Sequence, residues 1–301
     1  MITLNLGEQQ ATVSTVGAGL RDYRVGARAV LDGCAPGQPC TAARGNLLLP
    51  WPNRITDATY RFADVEHRLP VTEPATGAAI HGLTRGEPWQ VVEQRDGGVT
   101  LRYELGPRPG YPFTLRCEVE YALGPAGLRV RTGATNTGAE PAPYATGAHP
   151  YLAAGPGRID ELTVRVPAEA YYPTDRRGTP TGRRPVGGTG FDLREPGVLG
   201  DRRIDHAYTE LRRDSDGLAR VWVRTPDGVR TALWLGSGYD YVQVFTGDTV
   251  PEPERRRRGI AVEPMTAAPD AFRSGDGLCV LAPGQEHIVE WGIEAGHGAV
   301  R

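Results

Sequence analysis

Apolar and polar residues alternate one by one along most of the chain, as they do in strands that bury one face. In FTLRCEVEY, residues 113–121, the apolar side chains share one face and the charged or hydroxyl side chains share the other. This period of two predicts an antiparallel strand packed on a core. The segment GLRVRTGATNTG, residues 127–138, follows across a GPAG turn and continues the pattern.

Two further segments place the same pattern on both sides of turn residues. RVWVRTPDGVRTALWL, residues 220–235, predicts a strand, a Pro-Asp-Gly turn and a second strand, and VVEQRDGGVTLRYEL, residues 91–105, repeats this around Asp96 and Gly97. No stretch with a 3.6-residue period is long enough for a major helix. With 40 Gly and 26 Pro between the strands, we predict an all-β protein, a large antiparallel β-sandwich that forms one domain over residues 1–301.

The region from about 173 to 205 is rich in Gly, Pro and Arg and predicts a long loop inside that domain. The start MITLNLGEQQ has no basic segment followed by an apolar one, and no apolar run has the length of a membrane span. We therefore expect a cytoplasmic protein with no membrane partner.

Composition narrows the chemistry. The net charge is -2, so no basic excess indicates a nucleic-acid partner. All 34 basic residues are Arg and none is Lys, which excludes Schiff-base chemistry, pyridoxal phosphate and a Walker-type phosphate loop.

Two local clusters could indicate a metal site and an anion site, and we favour neither. Cys34 and Cys40 frame CAPGQPC, but no second Cys or His pair has metal spacing, so we expect reduced thiols, with a loop disulfide as the alternative and no metal. Cys117 lies on the apolar face of its strand and is expected in the core. The run RRRR, residues 255–258, predicts a solvated loop, with an anion site for a sugar phosphate as the alternative.

Two ionisable residues stand on stiff backbone. His149 in TGAHPYL and Glu263 in AVEPMTAAPDAF each precede a proline. A residue before proline is restricted to extended conformations, which limits where its side chain points. A stiff His and a stiff Glu are candidates for a general acid and a general base, and two ordinary strand-end residues are the alternative.

Further polar residues lie in short stretches rich in apolar and aromatic residues. LLLPWPNRI contains Asn53 and Arg54, AIHGLTRGEPW contains His81, IDHAYTEL contains Asp205, and YVQVFTG contains Gln243. None of these residues is specific alone. Together with the His and Glu above, they suit a polyhydroxylated ligand, because a sugar needs many directional hydrogen bonds and an aromatic surface for its C–H face.

Six blocks in one order resemble the aldose 1-epimerase (galactose mutarotase) family. They are PWPNRITDATYRF, AIHGLTRGEPW, GAHPYL, DHAY, VQVFTG and VEPMTAAPDAF, and the tail CVLAPGQEHIVEWGI is similar to the closing strands of the family. The segment before residue 45 matches no such block. The resemblance implies a galactose mutarotase-like supersandwich of carbohydrate metabolism, a monomer or a homodimer, whose partner is a small-molecule sugar.

The resemblance also implies catalytic roles. Glu263 resembles the base that takes the proton of the anomeric hydroxyl, and His149 resembles the acid that protonates the ring oxygen. His81 resembles a second histidine that donates a hydrogen bond near the ring oxygen. On this assignment we expect a bell-shaped pH profile, with an acid limb from Glu263 and a basic limb from His149.

Four residues resemble the family's substrate-binding residues. Arg54, with Asn53, and Asp205 hold sugar hydroxyls by this resemblance, and Gln243 makes a further hydroxyl contact. The block GAHPYL departs from the family where Leu152 replaces a frequent aromatic residue, which alters packing more than chemistry.

The implied reaction interconverts the α and β anomers of a free aldohexose such as glucose or galactose. It breaks C1–O5, lets the aldehyde rotate and recloses the ring, so one base and one acid suffice and no cofactor or metal is required. The alternatives are a hexose-6-phosphate 1-epimerase on the same scaffold, a glycoside hydrolase that uses Asp205 and Glu263, and a non-catalytic carbohydrate-binding protein. The sequence does not choose the preferred aldose.

Overall fold

A computed structural model of the protein describes residues 1–34 and 40–296. Helix is confined there to the 3-10 turns Thr56–Ala58, Ile159–Glu161 and Pro253–Arg255 and the single α-helical turn Ala271–Ser274. The first strands are β1 (Ile2–Leu6), β2 (Gln9–Val13), β3 (Leu20–Val25), β4 (Arg28–Ala29), β5 (Leu47–Leu48), β6 (Arg54–Ile55), β7 (Thr59–Phe62), β8 (Val65–Arg68), β9 (Ala79–Ile80), β10 (Gln90–Arg95), β11 (Gly98–Leu105), β12 (Leu115–Gly124) and β13 (Gly127–Asn136).

The remaining strands are β14 (Ala142–Tyr144), β15 (Gly147–Ala148), β16 (Tyr151–Ala153), β17 (Thr163–Arg165), β18 (Ala168–Tyr172), β19 (Arg184–Pro185), β20 (Gly197–Val198), β21 (Asp205–Leu211), β22 (Ala219–Arg224), β23 (Arg230–Leu235), β24 (Tyr241–Phe245), β25 (Gly259–Met265), β26 (Cys279–Leu281) and β27 (Glu286–Ala295). The structure is therefore almost entirely β, as the alternation predicts.

Two large sheets dominate the architecture. A nine-stranded sheet has the order β10-β11-β12-β13-β27-β23-β22-β17-β20, and an eight-stranded sheet has the order β19-β18-β21-β24-β25-β15-β5, with β16 also paired to β25. Strands β1 to β4 form a smaller sheet, and β6-β9, β7-β8 and β14-β26 are two-stranded pairs. The pairings between these strands are antiparallel, as predicted.

The hairpins predicted from turn residues are present. β10 pairs with β11, β12 with β13, and β22 with β23. Over residues 115–121 of β12 the apolar positions are buried and the polar ones are half-buried or exposed, which confirms the period of two. The region 173–205 is a long loop that contains two short strands. β19 adds to one edge of the eight-stranded sheet, and β20 adds to one edge of the nine-stranded sheet.

The two large sheets contribute to one continuous hydrophobic core. Val242 and Val244 of β24 and Ile260 and Val262 of β25 pack into the same cluster as Val119, Tyr121, Val221 and Leu233 of the nine-stranded sheet. Because side chains alternate along a strand, the residues between these valines and isoleucines point away from the core. That second face of the eight-stranded sheet is available for a site. That the whole chain forms one domain stays a prediction.

The cysteines differ in part from expectation. Cys34 and Cys40 are joined in a disulfide, with their Cα atoms 5.6 Å apart. This distance lies in the range that a disulfide needs, so the expectation of reduced thiols is wrong here; residues 35–39 between them lie outside the described residues. Cys117 is fully buried, as its strand position predicts.

The arginine run is only partly a solvated loop. Arg255 donates to Asp32 Oδ1 over 2.6 Å, and Arg257 pairs with Asp248 Oδ1 over 3.0 Å. Both guanidinium groups join separate loops, while the other two arginines of the run are exposed. The solvated interpretation is therefore wrong for Arg255 and Arg257, because acids distant in sequence fold against them.

No helix within residues 1–34 and 40–296 is long and apolar enough to cross a membrane.

Candidate active site

A cleft of about 360 Å³ lies over the face of the eight-stranded sheet that points away from the core. All seven candidate residues line it. They are Asn53, Arg54, His81, His149, Asp205, Gln243 and Glu263. Tertiary structure thus brings together residues from six blocks that span more than 200 positions, and their individual roles stay predictions.

Three neighbouring strands supply the floor of the cleft. Gln243 of β24 stands directly opposite Glu263 of β25, and Asp205 begins the adjoining strand β21. Gln243 Nε2 donates to Asp205 Oδ1 over 2.6 Å, and Asn53 Nδ2 donates to Gln243 Oε1 over 3.4 Å. The register of the sheet therefore sets these polar groups beside one another, since a slip of one residue would turn them into the core.

His149 and Glu263 form the most buried polar pair of the cleft. His149 Nε2 lies 3.2 Å from Glu263 Oε1, and the two residues are 5% and 2% exposed. His149 lies between β15 and β16, where its backbone N–H donates to Asn46 and its carbonyl accepts from Gly45. These bonds and the following Pro150 hold the imidazole against the carboxyl group.

His81 lies beside this pair on strained backbone. His81 and Asn53 have φ of 61° and 54°, a region that non-glycine residues rarely adopt. The backbone N–H of Asn53 donates to His81 Nδ1 over 3.2 Å. Nδ1 is therefore an acceptor, and the neutral ring carries its proton on Nε2 as a donor. The ring centroids of His81 and His149 are 5.3 Å apart.

The turn that carries His81 needs a glycine next to it. Gly82 has a φ of 72°, and a Cβ atom there would lie 1.9 Å from the carbonyl oxygen of Leu49. No other residue fits this close approach of two backbones. Gly82 thereby fixes the position from which His81 enters the cleft.

Burial opposes charge on each member of the His149–Glu263 pair. Burial raises the pKa of Glu263 well above its usual range, the charge of Asp205 raises it further, and Arg54 opposes them. Burial also lowers the pKa of His149 far below its usual range, and Arg44 adds to that shift. Both shifts favour a neutral pair with one titratable proton, and because the two groups are 3.2 Å apart they titrate as a unit.

Each member of the pair also has a buried polar atom with unused hydrogen-bonding capacity. Glu263 Oε2 and His149 Nδ1 have no hydrogen-bond partner among the described residues. Buried polar atoms are normally satisfied. The free carboxyl oxygen of Glu263 is therefore a candidate to accept a proton from a bound molecule, or a hydrogen bond from one of its hydroxyl groups.

Arg54 is held in place by an acid that the sequence did not indicate. Its Nε and Nη2 donate to the two carboxylate oxygens of Glu73 over 2.6 and 2.8 Å, and the Thr76 hydroxyl donates to the same carboxylate. A bidentate pair of this kind fixes the guanidinium plane. No local pattern links Glu73 to Arg54, because the two residues are distant in the sequence and come into contact only in the folded wall of the cleft.

Arg85 is a second lining residue that sequence reasoning missed. It lies four positions after His81 in the block AIHGLTRGEPW and donates to its own loop at Ile80 O over 3.2 Å. The guanidinium is half-buried, and no carboxylate of the described residues pairs with it. Burial lowers the pKa of Arg85. Its place in a block already singled out was the signal that could have revealed it.

A family model described as aldose 1-epimerase matches residues 1–293 of the chain. The match includes the segment before residue 45, in which no motif was recognised. The uncharacterized Escherichia coli K12 protein YihR is 34% identical over 293 residues, which cover 97% of this chain and 92% of YihR.

Human galactose mutarotase is 32% identical over 159 residues, which cover 51% of this chain and 46% of the human protein. The chain thus matches about half the length of that enzyme, and the activity of the whole mutarotase is not transferred by the match alone.

Two solved structures share the fold along nearly all of both chains. The GalM/aldose epimerase homologue from C. elegans has a TM-score of 0.84 and 17% identity, covering 98% of this chain and 99% of its own. Galactose 1-epimerase from Lactobacillus acidophilus has a TM-score of 0.81 and 18% identity, covering 98% and 94%. At these identities the likeness shows the fold alone, and it agrees with the predicted sandwich.

Proposed function

Because the chain belongs to the aldose 1-epimerase family, we propose that it interconverts the α and β anomers of a free aldohexose by general acid–base catalysis. Family membership supports a mutarotase-like enzyme; the substrate and the residue roles are our proposal. The observation that carries it is the buried pair His149–Glu263, whose nitrogen and oxygen are 3.2 Å apart at the floor of a polar cleft.

Ring opening needs one proton to leave and one to arrive. Glu263 takes the proton of the anomeric hydroxyl, and a histidine N–H gives a proton to the ring oxygen while the C1–O5 bond breaks. The aldehyde then rotates about C1–C2, and the reverse transfers close the ring on the other face. One positioned acid or base contributes roughly 10²–10⁴-fold in rate.

The proton inventory of the pair matches this reaction. A single proton shared by His149 and Glu263 is the same number as one ionised base and one protonated acid. A bound sugar replaces the direct contact between them, so that its O1–H faces Glu263 and its ring oxygen faces His149. His81, with its proton on Nε2, supplies the second donor at the ring oxygen.

The walls of the cleft suit sugar hydroxyls. Asp205 is exposed to the cleft as an acceptor, Gln243 and Asn53 offer amide groups, and Arg54 is oriented by Glu73. Directional groups of both kinds on fixed strands hold a pyranose with its anomeric carbon over the reactive pair.

Polarimetry tests this function. We expect the purified chain to speed the decay of optical rotation of a freshly dissolved α-aldopyranose, with no added metal or nucleotide. Glu263→Gln serves as the inactive variant. If no aldose of a broad panel relaxes faster than buffer, a non-catalytic sugar-binding protein becomes the better description; release of nitrophenol from nitrophenyl glycosides would instead indicate a glycoside hydrolase.

A second candidate function is epimerisation of a hexose 6-phosphate, and Arg85 is the observation that favours it. A half-buried cation without an acidic partner is costly unless it meets an anion or several acceptors. The arginines of residues 255–258 do not line the cleft, so they give this candidate no support.

Comparison of glucose with glucose 6-phosphate separates the two candidates. We expect kcat/KM to be higher for the neutral sugar in the parent enzyme. Arg85→Met should then change kcat/KM for both sugars by a similar factor. A loss confined to the 6-phosphate, with the parent preferring that substrate, would assign the protein to the phosphorylated sugar.

A further inference from the structure

Arg44 is a fully buried cation behind the cleft wall. It is 2% exposed, and its Nη2 lies 3.1 Å from Asp32 Oδ2. Asp32 is held from its other side by Arg255 over 2.6 Å. The Nε and Nη1 atoms of Arg44 have no hydrogen-bond partner among the described residues. A buried guanidinium with unused donors is unfavourable for stability alone, so its role has to be sought in what it touches.

The flat face of Arg44 lies on a ring that contacts the candidate acid. Its guanidinium carbon is 4.3 Å from the ring centroid of Tyr151. Tyr151 stacks in turn on His149, with ring centroids 5.1 Å apart and planes 12° apart. The Tyr151 hydroxyl donates to the carbonyl of Ala42 over 3.1 Å, which prevents the ring from sliding. We call the series Arg255, Asp32, Arg44, Tyr151 and His149 the Arg44 column.

The backbone ties the same two segments together. Gly45, next to Arg44, donates its N–H to the carbonyl of His149, and His149 donates its N–H to Asn46. Ala42 and Ala43 line the cleft with φ of 51° and 54°. The segment that carries Arg44 is therefore bonded directly to the segment that carries His149, and side chain and backbone position it together.

Several charged or titratable groups lie around His149. They are Glu263, His81, Arg44, Arg54, Arg85 and Tyr151. Glu263 favours an imidazolium, whereas the arginines oppose it. Arg44 differs from Arg54 and Arg85 because it does not line the cleft, so it acts on His149 without touching a substrate.

We propose that Arg44 is a positioning residue for His149, which fixes the plane of the imidazole through Tyr151. The expected effect of Arg44 on catalysis rests on the proposed function, whereas its positioning of the His149 ring does not. Cation–π stacking is stronger when the pair is desolvated, and a fixed donor avoids the loss of rate that a displaced one suffers.

Four variants test the column. Arg44→Met removes the charge and Arg44→Lys keeps it without the planar stack; Tyr151→Leu removes the ring, and Tyr151→Phe is the matched control that keeps it. We expect Arg44→Met and Tyr151→Leu to lower kcat roughly 10- to 100-fold. KM should stay within about twofold of the parent in Arg44→Met, because Arg44 does not line the cleft, whereas Tyr151 does. Tyr151→Phe should stay close to the parent, and Arg44→Lys should fall between them.

The pH dependence separates positioning from mere structural support. Loss of the Arg44 charge lets His149 accept a second proton more easily. The acid limb of kcat should therefore move up by about one pH unit in Arg44→Met and stay in place in Arg44→Lys. If kcat and KM change alike and the limb does not move, the column is only structural and the inference is wrong.

A measurement without turnover keeps the inference independent of the substrate. NMR of the protein labelled with ¹⁵N in its histidines follows the titration and tautomer of His149. We expect Arg44→Met to raise its apparent pKa, and an unchanged titration would overturn the inference even for an inactive protein. If Arg44→Met does not fold because Asp32 loses one of its two arginine partners, the double variant Arg44→Met/Asp32→Asn carries the same test.

Discussion

Each of the two large sheets has a row of polar residues across neighbouring strands, and the two rows differ in their exposure and in their charged neighbours. The outer row crosses β12, β13 and β27, where Arg131 stands directly opposite Glu120 on one side and Glu290 on the other. The cleft row consists of Asp205, Gln243 and Glu263 on β21, β24 and β25. Both rows follow from the same alternation, so the pattern of the strands alone does not distinguish them.

The neighbours of each carboxylate explain the difference. Glu290 is 39% exposed at its side chain and receives Arg129 over 2.9 Å, with Arg131 at 3.7 Å. Glu263 is buried, and its single ion-pair contact among the described residues is His149. Exposed pairs contribute little to stability, because water and salt screen them. A carboxyl group buried beside an imidazole has a shifted pKa, which is a property of reactive groups.

The largest effect is expected for Glu263→Gln. The amide keeps the shape of the side chain and loses the base, so turnover should fall by roughly 10²–10⁴-fold or more. Sugar binding should persist, because the hydroxyl-binding residues are untouched. Polarimetry alongside calorimetric sugar binding checks this, with Glu290→Gln as the matched control at full activity. A Glu263→Gln variant that binds sugar and turns over near the parent rate would exclude Glu263 as the base.

The next effect concerns the pH profile. The bell shape is retained, but the directions of the two pKa shifts reverse the sequence-based assignment of its limbs. The pair gains a second proton on the acid side, where His149 titrates below its usual range, and loses its last proton on the basic side, where Glu263 titrates above its usual range. The acid limb should therefore lie below the usual pKa range of a histidine.

Removal of one partner checks this reversal. His149→Asn should lower kcat by roughly 10²–10⁴-fold and abolish the acid limb in the activity that remains. An acid limb that survives in His149→Asn, and disappears instead in Glu263→Gln, would restore the original assignment.

A smaller effect is expected at the wall of the cleft. Arg54→Ala should raise the dissociation constant of the sugar about 10-fold or more, because a hydrogen bond to a charged group contributes about 1.5–3 kcal/mol. Glu73→Gln should produce a weaker change of the same kind, since Arg54 remains but is less firmly oriented. Calorimetric titration measures both. Tight binding by Arg54→Ala would remove Arg54 from the set of sugar ligands.

The smallest effect is that of Glu263→Gln on stability. The substitution lowers turnover, but we expect it to stabilise the folded protein. The folded-state pKa of Glu263 is raised, so its carboxyl group costs stability increasingly as pH rises above about 4.5. Glu263→Gln should therefore be more stable than the parent at pH 8, and the gain should shrink toward pH 4. Thermal unfolding across pH measures this, with Glu290→Gln unchanged throughout. Equal gains at both pH values would contradict it.

Much of the fold was predictable from local patterns. The alternation in residues 113–121 and the turn residues Asp96 and Gly97 each indicate one strand or one hairpin, and the structure has them. The pairing of β13 with β27 was not predictable, because residues 127–136 and 286–295 meet only after the chain has crossed both sheets. Non-local pairings of this kind leave no local pattern.

The candidate site was predictable as a set of residues but not as a mechanism. His149 and Glu263 stand out because each precedes a proline, and both line the cleft. Glu73 and Arg44 do not stand out, since a loop acid and a buried arginine become meaningful only through what they touch. The disulfide between Cys34 and Cys40 likewise depends on how their loop closes.

The sequence by itself determined the strands, the class of fold and the residues able to handle protons and hydroxyls, because side-chain period, turn chemistry and backbone restriction by proline act over a few residues. Only the tertiary structure decided that Glu263 stands opposite Gln243, 3.2 Å from His149 and away from water. Protonation depends on burial and on charges that arrive from distant parts of the chain, such as Asp205 and Arg54 beside Glu263. Such long-range electrostatics exists only once the sheets have paired.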